Sequence, residues 1–228
     1  MAKLSVIIPT LNAAEGLRRS LPPLGQFSAL GLIREVIFAD GGSEDGTAEI
    51  AEASGAEFLS AGRGRGTQLA AAAEAARGEW LMFLHADTVL DEGWDDVVRD
   101  FIEDPANAER AGYFGFQLDD RAVGARFLEA MVAVRCRLFR LPYGDQGLLI
   151  SRAHYQKLGG FRTIPLMEDV EFVRRIGWRR LVHLSGMATT SAERYRRDGY
   201  ILRPIRNFCC LTLYFLGVSP KTIVKLYG

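Results

Sequence analysis

The feature of this chain that most narrows its fold is the run Lys3–Ile8, where apolar and β-branched residues follow one another without the polar alternation of a half-exposed strand. A run of that kind fits a strand buried on both faces, and Pro9 closes it. The pattern returns at Glu35–Ala39, Glu57–Ser60 and Trp80–Leu84. Helical stretches separate the strands: Asn12–Gln26, with Leu17, Leu21 and Leu24 at helical spacing, then Asp45–Ala53, then the alanine-rich Gly66–Ala76 before Gly78. Strands alternating with short helices make right-handed βαβ units, hence an α/β fold with a mostly parallel central sheet and helices on both faces.

Beyond residue 90 the alternation loosens into a helix at Glu92–Glu103, a strand at Gly112–Leu118, a long helix at Ala122–Phe139, a strand at Gly147–Ser151 and a helix at Asp169–Ile176. The apolar segment Ile201–Leu216 stops at Gly217, and Ser219-Pro220 opens a last helix to Tyr227. No repeat or polar linker divides the 228 residues, which read as one domain of residues 1–90, 91–200 and a helical tail over 201–228. With 48% apolar residues a core of this size needs no disulfide or metal staple. Cys136, Cys209 and Cys210 have no metal-ligand spacing and fit reduced thiols in a cytoplasmic protein. The opening apolar run is too short for a signal peptide, and no run reaches the ~18 residues of a membrane span.

Basic and acidic side chains balance at 28 each, which argues against a nucleic-acid binder, but the balance hides a split. Residues 1–171 hold 17 Lys/Arg and 26 Asp/Glu; residues 172–228 hold 11 and two. The basic end suits an acidic or membrane-surface partner, or is a surface bias neutralised by the rest of the fold.

In an open parallel sheet, ligands bind beyond the carboxyl ends of the strands. Three polar clusters converge there: Pro9–Asn12, Asp40–Thr47 and His85–Thr88. Asp40, followed by Gly41-Gly42-Ser43, offers a carboxylate and open backbone to a nucleotide; the same segment also reads as a tight turn capped by Ser43 or Asp45. Asp87 is a hard ligand able to share Mg²⁺ or Mn²⁺ with a diphosphate, or else the cap of the next helix. Arg65, in the glycine-rich loop Gly62–Gly66, suits a phosphate. Glu168, Asp169 and Glu171 crowd one helix start, where one carboxylate with an environment-raised pKa is a candidate general base. Asp145 and Gln146 lie in the glycine-flanked Tyr143–Gly147 turn, as contacts for a second substrate or as part of a simple turn.

Taken together, Ser5–Asn12 (SVIIPTLN) and Phe38–Thr47 (FADGGSEDGT) resemble the opening elements of the family 2 inverting glycosyltransferases of GT-A fold. His85-Ala86-Asp87-Thr88, Arg65 with Gln68, Tyr143–Gly147, Glu168-Asp169 and Thr190–Ala192 with Arg194 are similar to a short bacterial branch of that family, marked by HADT and GDQG and associated with radical-SAM or selenium-domain genes. The resemblance implies a nucleoside-diphosphate-sugar donor, a UDP-sugar foremost, held by Pro9, Thr10, Asn12, Glu15, Asp40, Gly42, Ser43, Arg65, Gln68, Ala86, Asp87 and Arg194, with Asp40 reading the base. It implies Asp169 as catalytic base with Glu168 next in line, and metal at Asp87. His85 replaces the first aspartate of the D-x-D motif, which implies either a lower metal affinity or a smaller role for metal, with Arg65 or Arg194 supplying part of the positive charge on the diphosphate. The signature of processive synthases is absent, so a single transfer to a hydroxyl acceptor is expected. That acceptor is lipid-linked if the basic, apolar Ile201–Leu216 lies on a membrane; a core helix or a homodimer contact accounts for the same residues. A nucleotidyltransferase and a non-catalytic sugar-nucleotide-binding protein are the competing classes.

Overall fold

The computed structural model describes residues 3–28 and 31–227. Along the chain come β1 (Leu4–Thr10), α1 (Ala14–Ser28), β2 (Ile33–Asp40), α2 (Thr47–Ser54), β3 (Glu57–Ser60), α3 (Arg65–Ala75), β4 (Trp80–Phe83), β5 (Thr88–Leu90) and α4 (Trp94–Glu103). There follow β6 (Ala111–Leu118), α5 (Val123–Phe139), β7 (Leu148–Ser151), α6 (Arg152–Lys157), α7 (Glu168–Ile176), β8 (Leu181–Thr190), α8 (Glu193–Asp198), α9 (Leu202–Phe215) and α10 (Pro220–Tyr227).

One eight-stranded sheet carries the fold, in the order β3-β2-β1-β4-β7-β6-β8-β5. The four strands foreseen in the first 90 residues pair in parallel, with β1 between β2 and β4. Beyond β4 the sheet is mixed: β7 runs antiparallel to both β4 and β6, β6 and β8 are parallel, and β5 returns antiparallel to β8. Four elements were not foreseen: β5, α6, β8 and α8. In β8 buried and exposed residues do not alternate cleanly, and around Gly186 its register against β6 shifts, which removes the period-two signal.

Side-chain alternation along the strands feeds a core on each face. Ile7, Ile37, Leu81 and Phe83 point to one, packed by α3, α5 and α7; Val6, Ile8, Phe38 and Met82 point to the other, packed by α1 and α4. The first core anchors α7: Phe172 is fully buried, with its ring 4.6 Å from that of Phe161. Truncating such a side chain to alanine costs ~3–5 kcal/mol, so α7 has little freedom to shift. Cys210 and Ile223, from α9 and α10, pack on Met167 and Val170, so the helical tail braces the start of α7. Among the described residues no helix is long and apolar enough to cross a membrane.

Candidate active site

Two loops at the carboxyl edge are knitted into one platform. Thr10, at the end of β1, donates from Oγ1 to Asp40 Oδ1 at 2.8 Å; Ser43 Oγ reaches the same oxygen at 2.5 Å, while Gly42 N and Ser43 N donate to Oδ2 at 2.9 and 2.7 Å. Burial raises the Asp40 pKa, but the hydrogen bonds from Ser43, Thr10 and Gly42 outweigh it and hold the carboxyl below its ordinary range. Four donors fill the roughly four lone-pair positions of a carboxylate. At 4% exposure, the Asp40 carboxylate holds the shape of the loop.

The same loop is tied to the start of α1. Asn12, in the left-handed region at φ 49°, donates from its backbone to Ser43 Oγ at 2.8 Å and accepts from Glu44 N at 2.9 Å; Ala14 N donates to Asp45 Oδ2 at 3.0 Å. Asp45 therefore serves both helices: Oδ2 accepts from the start of α1, and Oδ1 accepts from Thr47 N, at the start of α2, at 3.1 Å. Glu15 is exposed in the first turn of α1, and Pro9 is half-buried at the platform. Gln68, 3% exposed, is a clasp: its Nε2 donates to Thr10 O and Ala39 O, both at 2.7 Å, bridging the ends of β1 and β2.

The second cluster follows β4. Ser20 Oγ holds Ala86 O at 2.8 Å, and a Cβ on Gly16 would come within 3.0 Å of that oxygen, so α1 lies directly against the His85–Asp87 segment. Asp87 leads into β5 and is no helix cap; the next helix, α4, opens after Gly93. Burial raises the pKa of Asp87, against the pull of Arg194, Arg65 and Arg19. His85 is pinned by Arg65: the guanidinium Nη2 donates to His85 Nε2. Crowding by protein atoms, then the charges of Arg65 and Arg194, hold the imidazole well below its ordinary pKa and neutral. The Nε2 edge of His85 thus faces Arg65. No three His, Cys, Asp or Glu among the described residues group to hold a metal. A divalent cation still fits: Mg²⁺ commonly takes one or two carboxylates and draws its other oxygens from substrate phosphates and water, and Asp87 is such a carboxylate.

The third cluster faces these two. Met167, at φ 66°, turns the chain into α7 and separates the fates of Glu168 and Asp169. Glu168 is 2% exposed and pairs with Arg65 Nε at 3.3 Å; burial, and then Asp169 against the pull of Arg65, leave its pKa raised. Asp169 stands at the cleft wall with Oδ2 accepting from Gly144 N at 3.0 Å and Oδ1 from Val170 N at 2.7 Å. Gly144 is required at this junction, since a Cβ there would lie 2.7 Å from His85 Nε2 and 3.0 Å from Arg65 Nη2.

Beside Gly144, Asp145 Oδ1 is buried with no hydrogen-bond partner, and burial pushes the Asp145 pKa up to about 6 despite Arg135. Gln146 does not face the cleft: at 2% exposure it donates to Phe114 O at 3.0 Å and accepts from Arg135 at 3.2 Å. Arg135 and Tyr143 were not foreseen. The guanidinium of Arg135 stacks 3.6 Å over the Tyr143 ring, and burial raises the phenol of Tyr143 to about 12. Arg194, at the start of α8, is exposed and joins Asp87, Asp145 and Asp169 on the wall of a cleft of about 890 Å³.

Comparison with known proteins places these features in a family. The model of glycosyl transferase family 2 matches residues 5–126. No curated protein matches the chain. Among solved structures, the chain is similar to the mannosyltransferase PcManGT from Pyrobaculum calidifontis, in complex with GDP-Man and Mn²⁺: TM-score 0.65, 20% identity, covering 90% of this chain and 59% of that one. It is similar to glucosyl-3-phosphoglycerate synthase from Mycobacterium tuberculosis, in complex with Mn²⁺ and UDP-glucose: TM-score 0.58, 18% identity, 83% and 70% covered. Mannosyl-3-phosphoglycerate synthase from Rubrobacter xylanophilus gives a TM-score of 0.57 at 18% identity, with 95% and 76% covered. These likenesses establish the GT-A fold, and the family match, spanning more than half of the residues, establishes that the chain belongs to glycosyl transferase family 2.

Proposed function

We propose that this chain moves a sugar from a nucleoside-diphosphate sugar to a hydroxyl acceptor in one inverting displacement, without processive extension, and that the donor is a UDP-sugar. The observation that carries the reading is the difference between two carboxylates on one cleft wall shared with Asp87 and Arg194: Glu168 is buried and ion-paired with Arg65, while Asp169 is half-buried and accepts from the backbone N–H groups of Gly144 and Val170. The UDP-sugar follows from the resemblance; among the structural neighbours one is bound to UDP-glucose and another to GDP-Man. Pro9, Thr10, Asn12, Glu15, Gly42, Ser43 and Ala86 would surround the nucleotide, with Asp40 and Gln68 acting by holding the loops in shape. The free thiols of Cys136, Cys209 and Cys210 favour a cytoplasmic setting.

Asp169 would take the proton from the acceptor hydroxyl as its oxygen attacks the anomeric carbon, while the bond from that carbon to the diphosphate breaks. General-base help of this kind is worth ~10²–10⁴ in rate. Arg194, with Arg65 behind it, would meet the charge that grows on the departing diphosphate. A divalent cation, Mg²⁺ or Mn²⁺, held by Asp87 and the diphosphate, would supply Lewis-acid neutralisation of the same charge. Asp145 would face the acceptor, its unpartnered Oδ1 accepting from a second acceptor hydroxyl.

The test is product analysis with a panel of UDP- and GDP-sugars plus Mn²⁺: nucleoside diphosphate released together with a glycoside of inverted anomeric configuration is expected. Pyrophosphate released from a nucleoside triphosphate would overturn the reading in favour of nucleotidyl transfer, and donor binding without any turnover would leave a binding protein.

A further inference from the structure

The cleft of about 890 Å³ is near the upper end of the ~300–1,000 Å³ of small-molecule sites, yet the donor platform does not line it: Thr10, Asp40, Gly42 and Ser43 are all absent from its wall. Its volume lies on the acceptor side of Asp87 and Asp169. From these carboxylates it runs between α5, α7 and α9, and its wall there is apolar and open to solvent: Met131, Val134 and Phe139 from α5, Phe208 and Phe215 from α9, and Trp178 just past α7. Phe139 and Phe208 are 65% and 67% exposed, in a chain that buries Phe38, Phe114 and Phe172 almost completely. Large exposed apolar surfaces continuous with a polar site mark the place of an apolar ligand or partner. The lining stretches run from Leu128 to Phe139 on α5 and from Arg203 to Phe215 on α9, each about 17–18 Å at ~1.5 Å per residue, which suits an extended chain better than a second sugar ring.

Beside the carboxylates of Asp87, Asp145, Glu168 and Asp169, the cleft offers arginines to an anionic head. Arg140, Arg174 and Arg194 line the same wall, all exposed. Arg203, which the sequence set beside a membrane, is taken: it is buried and paired with Asp198. Beyond the cleft, Ile201 just before α9, Leu202 and Ile205 on α9 and Leu226 on α10 are also exposed, in the part of the chain that carries 11 basic residues against two acidic ones. An apolar surface with basic side chains suits the face of an anionic bilayer.

We infer that the acceptor is an amphiphile drawn from a membrane, with an anionic, hydroxyl-bearing head at Asp169 and Arg194 and an apolar chain lying between α5 and α9. The inference rests on the transferase reading and names its acceptor class. In the transfer step the head hydroxyl gives its proton to Asp169, its oxygen bonds to the anomeric carbon, and the nucleoside diphosphate leaves with the electrons of the broken bond.

The experiment is a calorimetric titration with n-alkyl phosphates from butyl to dodecyl, each below its micelle concentration, beside flotation with phosphatidylcholine vesicles with and without phosphatidylglycerol. Binding tightens about fourfold per added methylene until the groove is filled. The protein floats with phosphatidylglycerol vesicles and stays down with phosphatidylcholine alone. Met131→Asp and Phe208→Asp, at exposed positions, weaken dodecyl phosphate at least tenfold and leave UDP affinity unchanged. UDP binding with a flat chain-length series and no flotation would overturn the inference and leave the transferase reading standing; absence of any nucleotide binding would overturn the transferase reading itself. A stable dimer in solution whose contact covers Met131 and Phe208, dissociated by either substitution, would assign the groove to a second copy and sink the lipid proposal.

Discussion

Arg65 touches His85 and Glu168 at once: one guanidinium nitrogen donates to His85 Nε2 while Nε lies 3.3 Å from a Glu168 oxygen. One side chain thereby ties the segment after β4 to the start of α7, across the mouth of the candidate active site. Lysine has a single charged point and no fork, so it cannot reach both partners in the same geometry. Arg65→Lys should lose activity almost as fully as Arg65→Gln, by on the order of 10²–10³ in kcat, the range seen when a preorganised donor is removed. Steady-state kinetics of the two variants check this, and a lysine variant close to wild type would mean that charge alone matters at this position.

Asp169 and Glu168 differ in what they face, and their variants should differ accordingly. Asp169→Asn should lower kcat by ~10²–10⁴ with UDP affinity unchanged. Glu168→Gln should cost less, because it removes a buried ion pair and no proton acceptor. Calorimetric UDP titration beside initial rates separates the two effects, and the reverse order of losses would assign the proton transfer to Glu168.

Asp145 is held at a cost to stability. Its pKa rises from 3.8 to about 6 on folding, so the folded state disfavours the ionised form and stability falls as pH climbs through that window. Asp145→Asn should therefore leave stability little changed below 3.8 and raise it above about 6, by up to ~3 kcal/mol for a shift of about two units. Urea unfolding across that range reads the effect. The same variant should transfer more slowly, the usual trade where a site keeps an unfavourable group.

Metal and nucleotide should bind as a pair. With one carboxylate at the site and no three-residue cluster among the described residues, Mn²⁺ alone should leave the melting temperature where it is, and Mn²⁺ with UDP should raise it beyond UDP alone. Asp87→Asn should abolish that extra rise. A shift produced by Mn²⁺ without nucleotide would point to a ligand set that the site does not contain.

The parallel half of the sheet was legible because β1, β2 and β4 are buried on both faces and written as nearly unbroken apolar runs. β8 was not, since its exposed and buried residues are interleaved irregularly around the break at Gly186. The residues of the site could be named from their place after strands and before helices, but their partners could not. The saturation of Asp40 depends on a hydroxyl thirty positions away and on backbone N–H groups whose direction only the folded loop sets. Likewise nothing in the spacing of Arg135 and Tyr143 foretells a guanidinium stacked on a phenol ring.

β5 follows Asp87 directly yet pairs at the far edge of the sheet with β8, and Thr88 Oγ1 lies 2.9 Å from Thr190 Oγ1. The residue assigned to the leaving group is thus sewn to the border of the acceptor side, one residue away from the stitch. Exchanging the chain beyond Leu90 for that of another protein, in order to graft a new acceptor preference, would replace the strand that fixes Asp87 and alter donor chemistry at the same stroke. Acceptor swaps in this scaffold should therefore be cut inside α5 and α9, where the walls of the cleft change and the seam between Thr88 and Thr190 stays whole.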